Sequence, residues 1–416
     1  MTLNISKPVK TLVNGEIRFS SNISVGKESF EVWFQSAHFK DTDDISAATA
    51  FLICSLPVAM RTSSDIKSVS PVVQDLVKQS AQIQNILSSW FPEFQKIEIR
   101  SDLLQQKAKR SIKKASTFSG GVDSFHTLLK KQKDINYLIN VRGFDIELND
   151  EDIYNKVIAS IERTATHYEK ELIQVSSNLR DFSDKYVDWG YHYHGAALAA
   201  VAHLLSGVIG TMYIPSTYHY RDLFPWGSHP LLDPLWNTET IELIHESAEN
   251  SRFEKVEVIT HDQFALDNLT VCWQRINMDE DSRNCSHCEK CLRTMIAIES
   301  LGHLQNQKSF DTNINTDLMK KLAITNDHDL VFANENHAHI NALENTNEST
   351  IEINKILEQS ITDYSTNQLA SKLTGEPEEI RKLLANTQAG DLLIKSAWDY
   401  QPKKVIKAGI KKIFKR

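Results

Sequence analysis

The sequence predicts an α/β protein: a doubly wound parallel sheet carrying a cysteine knuckle, with an α+β module in front of it and a helical extension behind. Three observations carry that expectation. From Ala115 onward, short β-prone runs alternate with longer helix-patterned runs, the signature of parallel strands joined by crossover helices. A glycine-rich turn, "STFSGGVDSFH" (Ser116 to His126), falls between the first such strand and the first such helix. Four of the five cysteines crowd into the stretch from Cys272 to Cys291.

Residues 1–108 read as a separate α+β module. "GEIRFSSNISV" and "SFEVWFQ" alternate apolar and polar as half-buried strands do, and "SVSPVVQDLVKQSAQIQNILSSWF" has helical spacing. A basic, polar joint follows at Lys107 to Lys114. The central domain is expected over 112–304. It runs strand "ASTF", helix "VDSFHTLLKKQ", strand "INYLINV", helix "DEDIYNKVIASIERTATHYEK", strand "ELIQVS", helix "YHYHGAALAAVAHLL" and strand "GTMYIPS". "TETIELIHESAE" is expected as a further helix and "KVEVIT" as a further strand. Residues 305–400 read as helical and polar, and 401–416 as a basic amphipathic tail.

A chain of 416 residues with 41% apolar and 24% charged residues is long enough and apolar enough to bury a large core. Its net charge of −8 argues against extended nucleic-acid binding. The N-terminal stretch has no apolar core of secretory length, so a cytoplasmic protein is expected. "AATAFLICSLPVAM" is too short to cross a bilayer, and Gly195 to Pro215 reads as a buried helix running into a buried strand. Cys54, in an apolar run, is expected in the core.

The glycine turn sits where a phosphate site belongs, between a strand and a helix start. Gly120 and Gly121 permit backbone angles and close approach that a side chain would block. Successive N–H groups can then face anionic oxygens at the positive end of the helix. Ser119 and Ser124 add hydroxyl donors, and Asp123 is a candidate Mg²⁺ ligand. No lysine stands at the position that the common GxxxxGK[ST] loop requires.

Cys285, Cys288 and Cys291 are spaced C-x₂-C-x₂-C, with Cys272 upstream. Two-residue gaps let thiolates converge on one ion, and four sulfurs close a tetrahedral structural site, so Zn²⁺ is expected. An iron–sulfur or persulfide role is the alternative. His287, inside the knuckle, is expected to face solvent.

The string Ser119 to Ser124 resembles the PP-loop motif SGGxDS of N-type ATP pyrophosphatases, which have a Rossmann-like fold. The resemblance implies that Phe118, Ser119, Gly120, Gly121, Val122, Asp123 and Ser124 bind ATP, with Asp123, Ser119 and Ser124 catalytic. It also implies cleavage of ATP between its α and β phosphates: a substrate oxygen is adenylated and pyrophosphate leaves. Taken with the late cysteine cluster, the motif resembles 7-cyano-7-deazaguanine synthase, where a four-cysteine zinc site is followed by an arginine, here Arg293. That family adenylates a deazaguanine carboxylate, which ammonia converts to an amide; a second ATP drives dehydration to the nitrile. The resemblance covers about Ala115 to Gly302, less than half of the chain. Divergent relatives in antiphage systems are expected to join a deazaguanine to another protein through an amide.

The segment after the fourth expected strand, "PSTYHYRDLFPWGSHPLLDPLWNTETIE", departs from the family pattern, and only its position and the Asp233–Pro234 pair suggest kinship. Within it Arg221 is a candidate fork for a substrate carboxylate, Trp226 a stacking surface and Asp233 an acceptor for a purine-like N–H. A surface arginine, a core tryptophan and a turn aspartate are the respective alternatives. "YHYHG" (Tyr191 to Gly195) lies where adenosine contacts fall in such folds, or simply starts a helix. The tail "KKVIKAGIKKIFKR" has seven basic and no acidic residues, which suits an anionic membrane surface, RNA or an acidic partner. A peripheral place at the inner membrane is therefore a second expectation. Other functional readings are an N-acetyl sugar amidotransferase of surface-polysaccharide synthesis, a tRNA thiolation enzyme and a non-catalytic nucleotide-binding scaffold.

Overall fold

The computed structural model describes residues 1–372 apart from 106–108, 273–283, 312, 320, 321, 323 and 345. The basic tail, 401–416, and the helix expected beyond 372 lie outside the described residues. The chain folds as two compact units, one of Met1–Ser251 with Asn268–Thr270, the other of Arg252–Asp267 with the described residues from Val271.

The first unit opens with strands β1 (Thr2–Ile5), β2 (Val9–Val13), β3 (Glu16–Val25) and β4 (Glu28–Ser36). Alternation holds in β3, where Phe19, Ser21, Ile23 and Val25 point inward. Helix α1 (Asp44–Arg61) is capped by Asp43, whose side chain accepts from Ser46 N at 2.6 Å. It is apolar all round and 83% of its length is buried, the pattern of a central core helix. Strands β5 (Asp65–Ser68) and β6 (Val72–Val73), helix α2 (Gln74–Trp90), and strands β7 (Ile99–Arg100) and β8 (Leu103–Leu104) follow.

Then comes the alternating part: β9 (Lys114–Thr117), α3 (Val122–Lys130), β10 (Tyr137–Arg142), α4 (Glu151–His167), β11 (Glu171–Ser177), α5 (Leu179–Ser183), α6 (His194–Leu204), β12 (Thr211–Pro215) and β13 (Glu242–Glu246). Eleven strands form one mixed sheet in the order β13-β12-β9-β10-β11-β4-β3-β1-β5-β7, with β2 on β3. Strands β9 to β13 are mutually parallel. The chain steps outward from β9 through β10 to β11, then returns to the other side of β9 for β12 and β13. Such a reversal opens a crevice at the carboxyl ends of the two strands that flank it, here β9 and β12.

Two features differ from the sequence reading. Residues 1–108 share the sheet with the parallel strands, because β4 pairs antiparallel with β11 at Gln35 and Phe34. The pairing lies far apart in sequence and leaves no local signature. Second, "ELIHE" is strand β13, not helix, and "KVEVIT" belongs to helix α7. Pairing with β12 along five residues outweighs the helical propensity of its glutamates. In α7, Phe253, Val256 and Ile259 are buried at three-residue spacing, a helical stripe that the short "KVEVIT" window hides.

The second unit is helical: α7 (Arg252–Thr260), α8 (Gln263–Asp267), α9 (Glu289–Ser300), α10 (Thr316–Met319), α11 (Asp327–Ala342) and α12 (Glu348–Lys372). Met295, Ile296, Phe332, Ile353 and Leu357 supply its core.

The β4–β11 seam is short and leans on side chains. Asn178 Oδ1 accepts from Trp33 N at 2.8 Å and its Nδ2 donates to Glu31 O at 2.9 Å, while Ser177 Oγ donates to Trp33 O at 2.7 Å. Asn178→Ala removes the acceptor of the half-buried Trp33 N and is expected to cost about 1 kcal/mol. Urea denaturation followed by circular dichroism checks this.

Candidate functional site

Strand β9 ends in the glycine turn. Phe118 N donates to Ile139 O at 2.8 Å and Asn140 Nδ2 donates to Phe118 O at 3.2 Å, so β10 fixes the point where the turn leaves the sheet. Gly120 has φ +80°, the left-handed region that a glycine enters without strain. Its carbonyl accepts from Thr270 N at 2.8 Å. Gly121 is the N-cap of α3 and makes no side-chain cap. Ser124 is buried and its Oγ donates to Gly121 O at 3.0 Å, whereas Ser119 is exposed and Asp123 half-buried. Val122 and Phe118 are buried, the latter edge-on to Phe125 with centroids 5.0 Å apart. The turn can thus offer N–H and hydroxyl donors and one carboxylate to an anion with a bound cation.

Beside it, at the carboxyl ends of β12 and β13, lies a small concavity lined by residues that include His194, Ser216, Tyr218, Trp226, His229 and His245. Register brings it to the turn's side of the sheet: Tyr213 pairs with Ser116, and Ile214 with His245. Trp226 is half-buried and boxed edge-on by Tyr191 at 5.0 Å and Phe224 at 5.5 Å. Of the "YHYHG" histidines, His194 lines the concavity and is pushed below its ordinary value by burial, while His192 packs on Phe91 and Phe94.

Asp233 is 0% exposed, and its oxygens are occupied from within the protein. Oδ2 accepts from Ser228 Oγ at 2.7 Å and pairs with His245 Nδ1 at 2.7 Å; Oδ1 accepts from His229 N at 3.3 Å. A role in reading a substrate N–H directly, expected from the sequence, does not fit a carboxylate that is already this fully engaged. Gly195 is what allows the carboxylate in: a Cβ there would stand 2.2 Å from Gly227 O and 3.0 Å from Asp233 Oδ1. His229 is held neutral, down to about 4, by burial and by His245 beside it. Arg221 sits elsewhere, exposed in a short turn and paired with Asp222 at 3.2 Å, a contact of small energetic weight. Sequence reading missed Ser228, His229 and His245. The last was hidden by taking its strand for a helix.

In the second unit the four cysteine sulfurs converge, all within 4.8 Å of one another. Cys272–Cys288 and Cys285–Cys291 stand 3.8 Å apart, and Cys288–Cys291 3.4 Å. A tetrahedron with Zn–S bonds of about 2.3 Å has sulfurs about 3.8 Å apart, so the set could hold one zinc ion. Hydrogen bonds from the Cys272 and Cys291 thiols hold Cys288 well below the usual thiol range. Asn284 staples the two arms of the site: its Oδ1 accepts from Val271 N at 2.8 Å and Cys272 N at 3.1 Å. Ser286 takes φ +59° in the knuckle, Cys288 caps α9, and His287 is exposed. Arg293 is buried, 4.0 Å over the Phe332 ring, with its carbonyl accepting from Asn336 Nδ2 at 2.9 Å, so it joins α9 to α11. Cys54 is buried in the core.

The purified protein is expected to carry one zinc per chain by elemental analysis. Cys288→Ser should lower that content and the melting temperature together, because the binding energy of a structural metal is folding energy. Comparison of the chain with protein-family models, with curated proteins and with solved structures found no match.

Proposed function

We propose that this chain is an ATP-consuming, AMP-forming ligase of the PP-loop, Rossmann-like kind. On this reading it resembles 7-cyano-7-deazaguanine synthase, adenylates a deazaguanine-like carboxylate, and passes the acyl group to ammonia or a protein amine. The observation that carries the reading is the position of the SGGVDS turn: it caps α3 at the carboxyl end of β9, on the flank of the crevice where the strand order reverses. The concavity beside it has an aromatic wall, and Trp226 would be the surface on which a flat heterocycle stacks.

In this reading the N–H groups of Gly121 and the first turn of α3 bind the phosphates, and Ser119 adds a hydroxyl. Asp123 would hold Mg²⁺, which supplies charge neutralisation on the leaving pyrophosphate. The cysteine site would hold zinc as a structural ion. A cytoplasmic setting, a place in antiphage defence and a membrane contact through the basic tail belong to the same proposal.

The test is nucleotide product analysis with ATP, Mg²⁺ and ammonium, with and without 7-carboxy-7-deazaguanine. AMP should form only with the acid. Asp123→Ala should lower AMP formation by at least about 10²-fold, while zinc content and melting temperature stay unchanged. ADP as the product, or AMP formation unaffected by Asp123→Ala, would overturn the reading.

A further inference from the structure

We propose that His245, oriented by Asp233, is the base that takes the proton from the attacking amine when the acyl group is transferred; this rests on the adenylation reading above.

The argument begins with the carboxylate. A fully buried Asp costs several kcal/mol of desolvation, and a well-packed apolar residue would often serve stability as well or better. Asp233 is nevertheless 0% exposed, with one oxygen shared by Ser228 Oγ and His245 Nδ1, each at 2.7 Å. An acceptor on Nδ1 fixes the imidazole proton there and turns the Nε2 lone pair outward. Among the described residues Nε2 has no hydrogen-bond partner, and His245 lines the concavity together with Trp226 and Tyr218. The other histidines facing that space, His194 and His229, are both pushed towards the neutral form by burial. Of these three, His245 is the one whose ring nitrogen is hydrogen-bonded to Asp233. Asp233 thus fixes the ring of His245 and leaves its Nε2 lone pair to face the concavity.

Acyl transfer needs such a group. The amine nitrogen attacks the carbonyl carbon of the acyl adenylate and a C–N bond forms. Its N–H proton passes to His245 Nε2, and the C–O bond to the phosphate breaks with its electron pair leaving on AMP. The imidazolium, held against Asp233, then returns its proton to water. Asp233 is a positioning residue in this scheme and touches no substrate.

The test separates the half-reactions in the full-length protein. Adenylation is read as pyrophosphate exchange into ATP with 7-carboxy-7-deazaguanine; transfer is read as amide formation with ammonium and hydroxamate formation with hydroxylamine, which is already neutral at neutral pH. His245→Gln should leave exchange within about twofold and lower amide formation about 10²-fold. Hydroxamate formation should fall less, because the hydroxylamine nitrogen, once attached to the carbonyl carbon, is more acidic than that of ammonia and gives its proton to water more readily. Asp233→Asn should show the same split through the wrong tautomer, and ¹⁵N shifts of His245 should report the loss of the Nδ1–H form. If His245→Gln lowers exchange, amide and hydroxamate equally, or none of them, the proposal fails while the adenylation reading stands. No exchange in the wild type would overturn that reading and this proposal with it.

Discussion

Parallel strands cannot be joined by tight turns, and most of what the first unit offers chemically follows from that constraint. Each step from β9 to β10 to β11, and from β12 to β13, needs a crossover that returns the chain to the same edge of the sheet. The connections that leave the carboxyl ends are therefore gathered along one edge. The glycine turn leaves β9 there, Pro215 to Thr217 leave β12 beside it, and His245 stands at the end of β13. Three segments far apart in sequence become neighbours without any of them being long.

Within that edge, precision comes from buried polar groups. Asp233 has no exposure, so each of its hydrogen bonds is made in a medium of low polarity, where it is strong and where an unmade one is costly. Ser228, His229 N and His245 are consequently held to a fixed geometry by a single carboxylate. The cysteine site is built on a different principle. Asn284, accepting from two successive N–H groups, brings the arm carrying Cys272 to the knuckle. The four sulfurs are thus preset close to the spacing a tetrahedral ion requires.

What the sequence made legible was what is local. A left-handed backbone at Gly120 and an uncapped helix start at Gly121 need particular residues in consecutive positions, so the string SGGVDS announces them. Cysteines two residues apart announce a knuckle for the same reason. Strand order was not legible, since nothing in β4 says that its partner is β11. The Asp233–His245 pair was not legible either: its members are joined by a short turn and a strand whose composition looks helical, and only the register of β13 on β12 brings them together. Asp233 itself was noticed, but its burial was not, and burial is what changes its role from reading a ligand to holding a histidine.

The mixed sheet also constrains the order in which the chain is made. Ser36 Oγ donates to Gln174 O at 2.6 Å across a separation of 138 residues. At about 5–20 residues per second, a ribosome takes roughly 7 to 30 s to cover that interval. For that time strand β4, with Val32 and Phe34 on its inner face, has an unpaired edge of the kind that recruits other chains. Helix α1 is made early in the same interval, but its packing partner α6 arrives only after β11. Nascent chains of this protein therefore pass through a stage in which half a sheet and its central helix await the other half, and that stage is where shielding during synthesis matters most.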